Sequence, residues 1–151
     1  MQPAGRPARH PDGGRPQGHP LHDRQEGDRR VTHDLAGAWR LVSWCFEYED
    51  SRPSEFPLGQ EADGLLLYTP EGHVSATLMG GQPPSSFAYA GRYEVRDGAV
   101  YHSIEIATDA SLVGMTTTRH MKRENDVLTL SGPDFRAGTA RSQKIVWRRA
   151  P

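Results

Sequence analysis

From about residue 38 onward, apolar and polar positions alternate along this chain with a period of two, in short runs broken by turn residues. That period sends successive side chains to opposite faces of an extended strand. It predicts strands at 38–47, 64–69, 73–79, 89–96, 99–107, 112–123, 126–131 and 142–149. Pro70-Glu71-Gly72, Asp97-Gly98, Glu124-Asn125-Asp126 and Gly132-Pro133-Asp134 supply the breaks, and Asp-Gly between two alternating runs is a strong hairpin signal. The longer connections are 48–63 and 80–88, the second a polar flap running Gly80-Gly81-Gln82-Pro83-Pro84-Ser85-Ser86. Thr32 or Asp34 caps one short turn at 33–37, and no long amphipathic helix or internal repeat is visible. Many short strands with short turns point to an all-β sandwich or barrel.

The same alternation assigns an interior. Leu66 and Tyr68, Val74, Ala76 and Leu78, and Tyr89, Gly91, Tyr93 and Val95 share inward faces. So do Val100, His102, Ile104 and Ile106 in the fifth strand, and Val113, Met115, Thr117, Arg119 and Met121 in the sixth. Leu128, Leu130, Ile145, Trp147 and Arg149 complete the set, which is apolar and aromatic apart from His102 and Arg119. The first strand carries Gly37-Ala38-Trp39 and the last carries Trp147-Arg148-Arg149. If these runs pair, the sheet closes on itself, an indole plugs the floor, and an Arg stacks on its π-face.

Composition divides the chain. Residues 1–30 hold five prolines, five glycines and six arginines, while all twelve aromatics lie from Trp39 onward. A segment that cannot bury apolar surface does not offset its ordering entropy. Residues 1–32 therefore read as a disordered Pro/Gly/Arg-rich tail and 33–151 as one folded domain. The net charge of −1 gives no global field for nucleic acid or a membrane surface. No run approaches the roughly 20 apolar residues of a membrane span. A single cysteine, Cys45, and a tail without an apolar signal-like stretch fit the cytoplasm.

The segment from Leu35 to Arg149 resembles the bacterial and fungal family of small stand-alone lipocalin-like domains. The matching pieces are Leu35-Ala36-Gly37-Ala38-Trp39-Arg40, Pro57-Leu58-Gly59, Gly64 to Ala76, Tyr89 to Val95, the His102 strand, Arg119, Leu128-Thr129-Leu130-Ser131 and Trp147-Arg148-Arg149. The resemblance implies a single closed, eight-stranded antiparallel barrel around a cavity. Barrels of related shape include carriers of apolar ligands and cofactor-free cyclases and isomerases of natural-product pathways, so fold alone does not select a function. Where the family often has Pro and an aromatic after the His-bearing strand, this chain reads Thr108-Asp109-Ala110-Ser111-Leu112-Val113-Gly114, which implies a differently shaped mouth.

His102 is the sharpest candidate for chemistry. An inward imidazole requires a hydrogen-bond partner; it acts either as a general acid or base or as a structural tie between strands. Arg119, if inward, needs an anion or several acceptors. A ligand carboxylate or enolate, Glu47 or Glu105 would serve, and a structural place on the barrel floor over Trp39 is the other reading. Trp44, Tyr68, Tyr93, Met115 and Thr117 are candidate ligand-lining residues, each also explicable as core. His73 and His120 read as exposed. No Cys/His spacing suits a metal, no phosphate loop is present, and Cys45 packs as a small hydrophobe.

The sequence therefore favours a cavity protein acting on an apolar metabolite with one polar or anionic end. It leans toward a cofactor-free cyclase or isomerase of the polyketide type, with His102 and Arg119 catalytic. The alternative is a non-catalytic carrier of a small hydrophobic ligand. Outward Val42 and Val146 offer a face for a homodimer.

Overall fold

The computed structural model describes residues 20–133 and 141–151. One helix, α1 (Pro20–Leu35), precedes strands β1 (Gly37–Tyr48), β2 (Asp63–Tyr68), β3 (His73–Gly80), β4 (Ser85–Arg96), β5 (Ala99–Ala107), β6 (Thr116–Glu124), β7 (Val127–Pro133) and β8 (Arg141–Arg149). Each strand pairs antiparallel with the next, and β1 pairs with β8, so the eight strands form one closed barrel. Closure removes the unpaired edges of an open sheet.

The two ends of the barrel differ. The tight turns between β2 and β3, β4 and β5, and β6 and β7 lie at one end with Trp39, which is fully buried. Trp39 faces Arg149 across the β1–β8 ladder, and the guanidinium stands 4.2 Å from the indole centroid. Arg149 Nη2 donates to the Asp34 carbonyl at 2.6 Å and Nη1 to Ala36 at 3.2 Å, while Trp39 Nε1 donates to Leu35 at 3.0 Å. Arg123 also pairs with Asp34 and reaches over Trp39. The last carbonyls of a helix have no acceptor role inside it, and the barrel floor supplies their donors together with two cations at the negative end of the helix dipole.

The helix α1 occupies Pro20–Leu35, where the sequence reading has a tail to residue 32 and a short turn at 33–37. Its polar composition hides it: among residues 23–35 only Leu35 is buried, with Asp28 and Thr32 half-buried. Anchoring comes from backbone carbonyls, from the Asp34 carboxylate on Arg123 and from the Asp28 carboxylate, which accepts from Asp97 N at 3.3 Å; none of these leaves a trace in the apolar pattern. Residues 1–19 of the expected tail lie outside the described residues.

Two bulges change the parity of strands. Leu41 pairs with Trp147 but Ser43 pairs with Val146, which leaves Val42 surplus in β1. An extra residue in one strand turns everything beyond it to the other face, and so both Trp39 and Trp44 point inward. In β5, Ile104 faces Gly91 and Ile106 faces Ala90, with Glu105 surplus. Ile104 is buried and Ile106 is 67% exposed, against the expectation that both point inward. Gly91 sits at this bulge because a Cβ there would lie 1.9 Å from the Ser103 carbonyl oxygen.

The mouth end also departs from expectation. The sixth strand begins at Thr116 rather than 112, because residues 110–112 wind into a short 3-10 turn. Asp109 caps it, its carboxylate accepting from Ser111 N at 3.1 Å and Ser111 Oγ at 2.6 Å. Val113 is consequently 48% exposed instead of inward, while Leu112 is buried. β4 begins at Ser85, so only 81–84 remain of the expected 80–88 flap. Val42 faces outward and Val146 is half-buried.

Candidate functional site

Between floor and mouth, His102 stands on β5 opposite Tyr93 of β4 and Thr117 of β6. It is only 1% exposed. Its Nε2 lies 2.7 Å from the Tyr68 hydroxyl and its Nδ1 lies 2.7 Å from the Tyr89 hydroxyl. The imidazole thus bridges β2 and β4 through two phenols. Burial, reinforced by the nearby Arg119 charge, pushes its pKa down to about 3, so the ring is neutral near pH 7. A neutral imidazole has one donor and one acceptor; one tyrosine gives a hydrogen bond and the other receives one. Burial raises both phenols as well, Tyr89 to about 12 and Tyr68 well above its ordinary value. The Tyr68–His102–Tyr89 chain is uncharged and holds its protons at neutral pH.

Above this chain lies an enclosed cavity with a free volume of about 40 Å³, room for a few water molecules or one small functional group. Leu66, Ala76, Leu78, Ile104, Leu130 and Ile145 form most of its wall. Trp44, Phe87 and Trp147 add aromatic surface, and Leu112 of the 3-10 turn completes it on the mouth side. Tyr89, His102, Thr117, Arg119 and Gln143 supply the polar groups. Gln143 Oε1 accepts from Trp44 Nε1 at 3.0 Å, which fixes the indole. Arg119 Nη1 lies 3.5 Å from the carbonyls of Thr118 and Pro133.

Two lining atoms stand apart. Thr117 Oγ1 and Trp147 Nε1 are buried with no hydrogen-bond partner, on residues that are 4% and 2% exposed. A buried polar atom left unpaired costs about 1–3 kcal/mol.

Among the residues expected from sequence, His102, Arg119, Trp44 and Thr117 all meet at this cavity. Tyr68 reaches it only through His102. Tyr93 does not line it; its hydroxyl donates to the Thr69 carbonyl at 2.6 Å and its ring packs edgewise on Tyr68, toward the floor. Met115 is half-buried in the connection before β6 and does not line it either. The floor position considered for Arg119 belongs to Arg149. Glu47 and Glu105, considered as its partners, pair instead with Lys144 and Arg92 at the surface. Tyr89, Gln143 and Trp147 were not expected as site residues, although their parity with Tyr93 and Ile145 already put them inside. Cys45 is buried, which raises its thiol pKa, and His73 and His120 are exposed. Among the described residues no three His, Cys, Asp or Glu side chains converge on a point that could hold a metal, and no helix is long and apolar enough to cross a membrane.

A family model described as a lipocalin-like domain matches residues 36–85 and 81–150, from the residue before β1 to the residue after β8. This chain belongs to the lipocalin-like domain family. Among solved structures, this lipocalin-like barrel is similar to an uncharacterized protein from Bacteroides eggerthii DSM 20697, with 14% identity, a TM-score of 0.46, and 78% of this chain and 100% of that chain covered. No curated protein matches the lipocalin-like chain.

Proposed function

We propose that this lipocalin-like barrel binds a small, largely apolar molecule in its interior, with the polar end of the ligand at the cavity beside His102. The observation that carries this reading is the pair of partnerless buried atoms, Thr117 Oγ1 and Trp147 Nε1, in a wall that is otherwise apolar. Buried polar groups are ordinarily satisfied, and a ligand atom would satisfy these. The 40 Å³ of free space holds the polar end alone; the apolar body enters by displacing Phe87 and Leu112 toward the mouth. The ligand is a free metabolite rather than nucleic acid or membrane, and the buried single cysteine suits a reducing cytoplasm.

Native mass spectrometry of freshly purified protein tests this. A reproducible mass excess that disappears on denaturation is expected. A bare chain, together with no change in melting temperature across a panel of small apolar acids, ketones and alcohols, would count against it.

The Tyr68–His102–Tyr89 chain favours a second reading, a cofactor-free cyclase or isomerase on the same site. Catalysis would then come from folding the substrate and from hydrogen bonds of Tyr89 and Arg119 to a carbonyl oxygen. A neutral His102 serves by orienting Tyr89, not as an imidazolium acid. With the co-purified molecule as the lead substrate, His102→Ala and Arg119→Ala should each abolish turnover in a barrel that still melts cooperatively. Full turnover in both variants rejects the catalytic roles.

A further inference from the structure

Tyr68 and Tyr89 compete for the roles of donor and acceptor to His102, and their surroundings decide between them. The Tyr68 hydroxyl is enclosed in the core and has a hydrogen bond to His102 Nε2 and to nothing else. If Tyr68 accepted from Nε2–H, its own proton would have no acceptor. If Tyr68 donates to Nε2, every one of its protons is placed. Nδ1 must then carry the imidazole proton and donate to the Tyr89 oxygen, 2.7 Å away. That leaves the Tyr89 proton to be given elsewhere, and Tyr89, unlike Tyr68, lines the cavity.

The cavity therefore presents donors. Tyr89 O–H is one. Trp147 Nε1–H, which can only donate, is a second and has no partner. Thr117 Oγ1, also without a partner, can adapt to either role. Gln143 Oε1, the acceptor in the wall, is engaged by Trp44. Among the described lining residues the charged side chain is the Arg119 guanidinium, and there is no Asp or Glu.

Resting on the ligand-binding reading above, we infer that the cavity is a carboxylate subsite: one ligand oxygen accepts from Tyr89 O–H, the other from Trp147 Nε1–H, and Arg119 supplies the opposite charge. Hydrogen bonds to an ionised acceptor are the stronger kind, and a carboxylate is of a size that about 40 Å³ admits. The ligand is a monocarboxylate whose apolar body extends toward Phe87 and Leu112. His102 is a positioning residue: its fixed tautomer aims the Tyr89 proton.

Two measurements on the full chain test this. Long-range ¹H–¹⁵N NMR of His102 should show a protonated Nδ1 and an unprotonated Nε2; the reverse tautomer overturns the inference. Calorimetric titration compares hexanoate, hexanol and hexylammonium. Hexanoate should bind at least about tenfold more tightly than either of the others, and Tyr89→Phe and Trp147→Phe should each weaken it about tenfold, roughly the worth of one charge-assisted hydrogen bond. Equal binding of hexanol or hexylammonium overturns the carboxylate subsite while leaving the ligand-binding reading in place. Unchanged hexanoate affinity in Tyr89→Phe, in a variant with the native melting temperature, does the same. Binding of none of the three overturns both.

Discussion

Arg149 and Trp39 are cross-strand partners on β8 and β1, and the guanidinium of one stands 4.2 Å from the indole centroid of the other. The same guanidinium holds the carbonyls of Asp34 and Ala36. Arg149→Ala should remove both functions and cost about 2–3 kcal/mol, combining a partly desolvated cation–π contact with charge-assisted hydrogen bonds. The urea midpoint measures it. Deleting residues 1–30 should cost less than about 1 kcal/mol, because the main anchoring groups sit at 34–36 and, of residues 23–30, all but the half-buried Asp28 are exposed. A deletion as damaging as Arg149→Ala would show that the early helix contributes directly to the barrel.

Stability should depend on pH through His102. Its folded pKa, about 3, lies below the ordinary value of 6.5, so between these values the unfolded chain binds a proton that the barrel does not. Stability is then full above pH 6.5 and falls as pH drops toward 3, with a limiting slope of about 1.4 kcal/mol per pH unit. His102→Gln should remove this slope. Urea titrations of both proteins between pH 5 and 7.5 provide the comparison, and parallel curves would contradict the buried neutral imidazole.

Thr117→Val should stabilise the ligand-free protein by about 1 kcal/mol. The substitution is close to isosteric and removes a hydroxyl that has no partner. Differential scanning calorimetry reads the shift directly. A destabilised variant would mean that Thr117 Oγ1 is already satisfied inside the barrel.

Gly91→Ala should destabilise the fold by about 3 kcal/mol or more, since its Cβ would fall 1.9 Å from the Ser103 carbonyl oxygen and only backbone movement relieves that. Circular dichroism melting is sufficient to detect a loss of this size. Gly98→Ala is a useful contrast: a Cβ there meets nothing within 4 Å, and the cost is confined to its positive φ of 78°.

The barrel was legible in the sequence because its information lies in side-chain alternation and in turn chemistry, both of which are local. Trp39 and Arg149 mark closure in the sequence itself. Parity failed where an extra residue intervened: nothing in Leu41-Val42-Ser43 or Ile104-Glu105-Ile106 announces which residue the partner strand will skip. α1 was invisible for a different reason, since backbone carbonyls and the carboxylates of Asp28 and Asp34 hold it and few of its residues are apolar. The site was half legible. His102, Arg119 and Thr117 stood out as polar residues on apolar faces. Gln143 and Trp147 had the same signal but lay in the strand already assigned to closure, and Tyr89 looked like ordinary core until its hydroxyl was seen against Nδ1.

The surplus residue Val42 uncouples the two ends of β1. Floorward of it, parity is committed to the Trp39 plug; mouthward, the count restarts and turns Trp44 to the cavity. A change at Trp44 therefore reshapes the cavity wall without shifting the register that seats the seal beneath.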